Sequence, residues 1–283
     1  MNYRHAYHAG NFADVLKHAV LAAMVSYLKR KDGGFRVIDT HAGPGSYDLG
    51  SVEAKKTGEW QGGIGRLLGA SLTPATEEFL APYLTVVKEL NPDRELKRYP
   101  GSPQLVRRLM RKQDRLSAIE LHAQDARHLR RLFEGDHQVR VTELDGWLAL
   151  GGHLPPKEKR GLVLVDPPFE QGGEFDRLID GLARASRRFA AGPYCLWYPL
   201  KADSGVARFH AELQTLGRPN TLVTEMWVRD PRTEKGLNGS GLVLVNPPYT
   251  LAGSLRAALP EITRLLAQDD KAGWRVETLV GEG

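Results

Sequence analysis

The 283-residue sequence predicts an α/β fold, a mostly parallel sheet with helices on both faces. Three observations carry this. Short apolar, β-branched runs alternate with amphipathic helical stretches, the order that builds parallel sheets. Two of the runs are near copies, Gly161-Leu-Val-Leu-Val-Asp-Pro-Pro-Phe169 and Gly241-Leu-Val-Leu-Val-Asn-Pro-Pro-Tyr249, each with the look of a buried strand. A chain of this length that is 41% hydrophobic can also bury one large core.

The elements follow in order. Apolar spacing predicts a helix from Ala13 to Leu28, with Asn11 or Asp14 near its start and the basic cluster Lys29-Arg-Lys31 at its end. Gly33 and Gly34 break it, and Phe35 to Asp39 reads as a strand leading into the glycine-bearing turn Thr40-His-Ala-Gly-Pro-Gly45. From about Ser46 to Pro103 the pattern is helical, with helices over Gly62 to Leu68 and Thr76 to Leu90 and no convincing strand. This segment, 46–103, is expected to be an inserted helical subdomain, with 1–45 and 104–283 forming the core. Strands are then expected at Leu116 to Glu120, Val139 to Thr142, Gly161 to Val165, Tyr194 to Tyr198, Leu222 to Val228 and Gly241 to Val245. Helices are expected at Asp125 to Phe133, Phe175 to Phe189 and Val206 to Leu216. A ligand of such a sheet belongs outside the carboxyl ends of its strands.

Composition narrows the function. The net charge of +5 is spread along the chain rather than gathered in a tail, which suits a polyanionic partner as well as an ordinary solvated surface. The single cysteine, Cys195 in the apolar run Tyr194-Cys-Leu-Trp197, argues against disulfides and a cysteine-rich metal site. His5, His8 and His18 lack carboxylates at ligand spacing, so no metal is expected. No stretch approaches the roughly 20 apolar residues of a membrane span, and the N-terminus lacks a signal peptide's apolar core. A cytoplasmic location, no membrane and no obligate protein partner are expected.

The twin endings carry chemistry. Two prolines stiffen each turn and remove backbone donors, leaving the Asp or Asn oxygen and nearby carbonyls free to accept hydrogen bonds from an amino group. The aromatic ring can stack on the planar ring that bears that amine. The turn Asp39-Thr-His-Ala-Gly-Pro-Gly45 resembles the first motif of S-adenosylmethionine-dependent methyltransferases and lacks the G-x-G-x-x-G of dinucleotide enzymes. Asp39, Glu120, Asp145 and Asp166 fall at successive strand ends, where Glu120 would accept from ribose hydroxyls and Asp145-Gly146 would meet an adenine. In the methyltransferase fold the fourth strand is parallel and carries the catalytic turn, while the last strand returns antiparallel. Asp166 is therefore expected in the reacting centre, and Asn246 is expected to be a structural turn at the other edge.

Taken together, the block Tyr3-Arg-His-Ala-Tyr-His-Ala-Gly-Asn-Phe-Ala-Asp-Val-Leu-Lys-His18, the Asp39 turn, Tyr99-Pro-Gly-Ser-Pro103, Glu120-Leu-His122, Asp145-Gly146, Asp166-Pro-Pro-Phe169 and Leu196-Trp-Tyr-Pro199 resemble the large-subunit ribosomal RNA adenine-N6 methyltransferase J family, RlmJ. The resemblance runs in order over nearly the whole chain. It implies a Rossmann-like class I methyltransferase sheet, mostly parallel with an antiparallel last strand, plus a small inserted helical subdomain. It also implies S-adenosylmethionine as cofactor and one adenosine of 23S ribosomal RNA as substrate. By matching position, cofactor contacts would fall on His18, His41, Ser102, Glu120, Asp145, Gly146 and Asp166, with Tyr3 reaching the RNA. The plain alternative for His18 is a helix C-terminal cap. Phe169 departs from the usual Tyr of the catalytic turn, which keeps stacking and loses the hydroxyl.

On this reading Asp166 and the Pro167 carbonyl accept the two hydrogens of the adenine amine, and Phe169 stacks on the ring. Asp166 or water takes the released proton. RNA is expected to be gripped by Tyr3 and Arg4 and by Arg229, Arg232 and Lys235 of the loop before the last of these strands. Two other readings stay open, a DNA adenine-N6 methyltransferase and a non-catalytic RNA-binding protein with a vestigial cofactor pocket.

Overall fold

The structure, a computed structural model, describes residues 5–170, 172–202, 205–232 and 236–282. Helix α1 spans Phe12–Leu28 and leads through strand β1, Arg36–Asp39, to β2, Ser46–Asp48. Four helices follow: α2 (Val52–Thr57), α3 (Glu59–Gly62), α4 (Ile64–Leu68) and α5 (Pro74–Glu89). Next come β3 (Arg98–Pro100), α6 (Ser102–Leu109), β4 (Arg115–Glu120), α7 (Ala123–Leu132), β5 (Val139–Glu143) and α8 (Gly146–Gly152). The chain continues through β6 (Gly161–Val165), α9 (Glu174–Arg188), β7 (Tyr194–Leu200), α10 (Val206–Leu216) and β8 (Thr221–Trp227). It closes with β9 (Gly239–Val245), α11 (Leu251–Leu266) and β10 (Gly273–Val280).

Eight strands form one sheet in the order β10-β8-β9-β7-β6-β1-β4-β5. From β5 to β7 neighbouring strands are parallel, whereas β9 runs antiparallel to both β7 and β8. The chain leaves β1 toward β4 and later returns to its other side as β6, so the β1/β6 gap is the switch point where a crevice opens. Side-chain alternation sends Leu162 and Leu164 to one core and Val163 and Val165 to the other, which is why β6 reads as an unbroken apolar run. One core holds α1, α5, α6 and α11, and the other holds α8, α9 and α10.

The structure differs from the sequence reading in three respects. Segment 46–103 contains strands, because β2 pairs antiparallel with β3 and joins the two ends of the segment. Helices α6, α8 and α11 were not expected; α6 and α8 begin beside glycines in turns whose signal masked the short helices behind them. The strand carrying Gly241 to Val245 is not the last, since β10 adds to β8 as an antiparallel edge. That edge strand is mostly half-exposed and mixes Trp274, Arg275 and Glu277 with few aliphatics, so no apolar run announced it.

A polar row fastens β10. Tyr198, Gly241, Glu225 and Arg275 are register partners across β7, β9, β8 and β10. The buried Tyr198 hydroxyl donates to Glu225 Oε1 at 2.7 Å, and Arg275 Nε donates to Glu225 Oε2 at 3.0 Å. Tyr198 crosses β9 over Gly241, where an added Cβ would meet the phenol ring at 2.2 Å. Gly241→Ala should therefore lower the unfolding free energy by about 1–3 kcal/mol, the usual cost of overpacking. A urea midpoint equal to that of the parent protein would show that the ring does not need this gap.

Candidate active site

A cleft of about 1410 Å3 opens at the carboxyl ends of β1, β4, β6 and β7, larger than the few hundred to 1,000 Å3 of a typical single-ligand pocket. Its floor is the turn after β1, where Gly43 and Gly45 adopt φ of 61° and 84°, conformations that favour glycine. Gly101 donates its N–H to the Gly45 carbonyl at 2.9 Å, and a Cβ on Gly101 would lie 3.0 Å from that oxygen. This contact seats Ser102, whose hydroxyl donates to the buried Asp39 Oδ2 at 2.7 Å. Burial still pushes the Asp39 carboxyl up to about 7 against the hydrogen bonds from Ser102 and the His41 backbone.

Glu120 ends β4 and accepts from Gly43 N–H and His122 N–H, both at 2.7 Å. Burial raises its pKa and those two backbone bonds oppose the shift. Asp145 caps α8 by accepting from Trp147 N–H at 2.8 Å, and Gly146 follows where a Cβ would strike the Thr40 carbonyl at 2.2 Å and the His41 ring at 2.9 Å. Part of His41 faces the cleft, yet desolvation lowers its pKa to about 4. Thr40 Oγ1 donates to the Leu164 carbonyl at 3.0 Å, so His41 Nδ1, 2.8 Å from that oxygen, is the donor of the pair. Neutral His41 then keeps Nε2 as an acceptor. His18 lies in the middle of α1 rather than at its C-terminus, pairs through Nδ1 with the Tyr99 hydroxyl at 2.8 Å, and is held near pKa 4 by burial.

The reacting-centre candidates lie on the wall beside this floor. Asp166, Pro167 and Phe169 follow β6 into the cleft. Phe169 meets Trp197 and Phe175 edge-on, with ring centroids 5.7 and 5.1 Å apart. Lys17, which the sequence reading passed over, reaches Asp166 Oδ2 at 2.6 Å and Asp14 Oδ1 at 2.9 Å. Burial opposes the Lys17 charge, but the two carboxylates more than compensate and raise its pKa. The signal was available: Asp14 and Lys17 are charged residues in a helix whose other faces are apolar, and buried charges need partners.

Asn246 lies at the opposite end of the sheet. Because β9 is antiparallel, its turn meets the segments before β7 and β8, and the Asn246 amide donates to the Ala190 and Gly192 carbonyls at 3.1 Å. Of the RNA-binding candidates, Arg229 lines the cleft, and its buried Nε has no hydrogen-bond partner among the described residues. Arg232 lies on an exposed loop, where its Nε and Nη2 donate to the two Asp230 oxygens at 3.1 and 3.0 Å. Tyr3, Arg4 and Lys235 lie outside the described residues. Among the described residues no group of three His, Cys, Asp or Glu side chains is arranged to hold a metal, and no helix is long and apolar enough to cross a membrane.

His41 offers a direct check. Its folded pKa lies below the ordinary 6.5, so its contribution to stability is whole above that pH and is lost as pH falls from 6.5 toward 4. The His41 imidazole proton resonance should stay unchanged from neutral pH down to about 5 and titrate near 4; a midpoint near 6.5 would contradict the desolvated floor.

The sequence model of the family described as Ribosomal RNA large subunit methyltransferase D, RlmJ, matches residues 32–280. Ribosomal RNA large subunit methyltransferase J of Haemophilus influenzae is 40% identical over 283 residues, 100% of this chain and 100% of its own length. The protein of the same name from Escherichia coli is 41% identical over 260 residues, 92% of each chain. Among solved structures, protein LPL1258 from Legionella pneumophila is similar with a TM-score of 0.85 and 31% identity, covering 96% of this chain and 98% of that one.

Proposed function

This chain belongs to the RlmJ family of ribosomal RNA large subunit methyltransferases, and from that premise we propose that it transfers a methyl group from S-adenosylmethionine to the N6 amine of an adenosine in 23S ribosomal RNA. The observation that carries the reading is Asp166, a carboxylate beside two prolines in the cleft, with Oδ2 taken by a buried lysine and no hydrogen-bond partner on Oδ1 among the described residues.

The residues present fit the cofactor. Gly146 lets the Thr40 carbonyl and the His41 ring pack against the start of α8 on the cleft floor, and Glu120 presents acceptors at the end of β4. Glu120 would hold ribose hydroxyls, Asp145 and Gly146 the adenine end, and His18, His41 and Ser102 the remaining polar edge. Bound there, S-adenosylmethionine supplies an electrophilic methyl carbon on a sulfonium sulfur. Asp166 and the Pro167 carbonyl accept the two hydrogens of the target amine, favouring a more tetrahedral nitrogen with an available lone pair. Phe169 and Trp197 form the aromatic side of the base site, and Arg229 supplies a cation at its mouth. The same reading keeps 46–103 as an inserted unit, supported by the β2–β3 pairing at its ends.

The test uses purified protein, labelled S-adenosylmethionine and three acceptors: 23S ribosomal RNA transcript, assembled subunits and duplex DNA. Digestion should release N6-methyladenosine from ribosomal RNA. Asp166→Ala should lower turnover by about 10²-fold or more, whereas Asn246→Ala should stay within a few fold. Label confined to DNA or to another nucleoside overturns the substrate assignment. Loss of activity in folded, cofactor-binding Asn246→Ala moves the reacting centre to the other turn.

A further inference from the structure

The turn that the catalytic reading leaves unused, Asn246-Pro-Pro-Tyr249, has its own organisation. Asn246 takes a left-handed φ of 50°, its amide is tied to the Ala190 and Gly192 carbonyls, and Leu251 N–H closes the turn onto the Pro248 carbonyl at 2.9 Å. This bracing ends in a tyrosine ring that is 79% exposed. A large aromatic held rigidly in water costs hydration that a partner would recover.

Its surroundings are cationic. Tyr249 meets Tyr27 edge-on at 6.1 Å, and the Arg30 guanidinium lies 5.1 Å from the Tyr27 ring centroid. Beside it run Lys29, Arg30 and Lys31, against the single acid Asp32. Arg111 fixes this loop by donating to the Lys29 and Lys31 carbonyls at 3.1 and 2.9 Å, while Arg160 donates to the Leu28 carbonyl at 2.9 Å. Among the described residues no carboxylate pairs with Lys29, Arg30 or Lys31. Two arginines thus hold a loop whose own three cations remain available, next to an exposed ring.

We propose that this surface, Tyr249 with Lys29, Arg30 and Lys31, is a second contact for single-stranded ribosomal RNA, with a base stacked on Tyr249 and phosphates on the cations. An aromatic platform flanked by unpaired cations is the recognition chemistry of an unpaired strand, and the sites carry no sequence requirement of their own. The surface lies at the amino ends of the parallel strands, whereas Asp166 lies at their carboxyl ends. With strands rising about 3.3 Å per residue, the two are on the order of 20 Å apart through the sheet. A target fragment short enough to fill only the cleft cannot touch both, and a larger RNA can. The proposal rests on ribosomal RNA being the substrate and names a further region of the protein that it contacts.

The experiment compares the parent protein, the triple variant Arg30→Ala/Lys31→Ala/Tyr249→Ala and Tyr249→Phe. Filter retention of full-length 23S transcript is measured across a salt series, beside the rate of methyl transfer and calorimetric affinity for S-adenosylmethionine. The triple variant should bind the transcript about tenfold or more weakly, with a salt slope smaller by about 1.4. Its cofactor affinity and its saturated transfer rate should be unchanged, and Tyr249→Phe, which keeps the stacking face, should bind like the parent. A triple variant with parental affinity and salt slope overturns the proposal, as does a loss in Tyr249→Phe equal to that of the triple variant. Failure of the methyl-transfer reading would appear separately, as no label in RNA with the parent protein, and the retention measurement decides this surface in either case.

Discussion

Lys17 places one ammonium group between Asp14 of its own helix and Asp166 at the end of β6, with side chains of Lys17 and Asp14 5% and 1% exposed. Removing such charges from water is costly, and the arrangement survives because each charge is answered. Burial opposes the Asp14 carboxylate, but His5 and Lys17 hold its pKa well below the ordinary range, and the Gly10 N–H adds a hydrogen bond at 2.9 Å. A helix that carries this triad cannot shift along the sheet without stranding a charge. The position of α1 and the direction of the Asp166 carboxylate are therefore one constraint.

Other features of the cleft hang from that frame. With α1 fixed, His18 stacks on Tyr99 at 5.5 Å, and Tyr99 shares its hydroxyl contact with Tyr83 of α5 at 2.8 Å. The segment between β1 and β4 is thereby tied to the sheet at a buried aromatic cluster, and Gly101 against Gly45 ties it again at the floor. The floor combines desolvated histidines with carboxylates already holding backbone N–H groups, an arrangement that is preorganised before any ligand enters.

The parts of this design that follow local rules were legible in the sequence. Gly161 to Val165 and Val206 to Leu216 have the bounds that their apolar spacing implied, and Asn11 caps α1 by accepting from Ala13 and Asp14 N–H. Asp166 and Asn246, nearly identical in local sequence, separated only through strand direction, which is a property of the sheet. What stayed hidden depended on distant partners. Strand β3 exists through its pairing with β2, β10 through its ladder to β8 and the Arg275 contact with Glu225, and the role of Lys17 through a carboxylate 149 positions away.

The central claim is that Lys17 and Asp166 act as a coupled buried pair, and a double-mutant cycle tests it most directly. Urea unfolding would be measured for the parent protein, Lys17→Met, Asp166→Asn and the double variant. Lys17→Met should cost about 3–5 kcal/mol by leaving buried carboxylates uncompensated. The loss in the double variant should fall short of the summed single losses by more than about 1 kcal/mol. Losses that add to within about 0.5 kcal/mol would contradict the account, because the two groups would then be neighbours without a shared constraint.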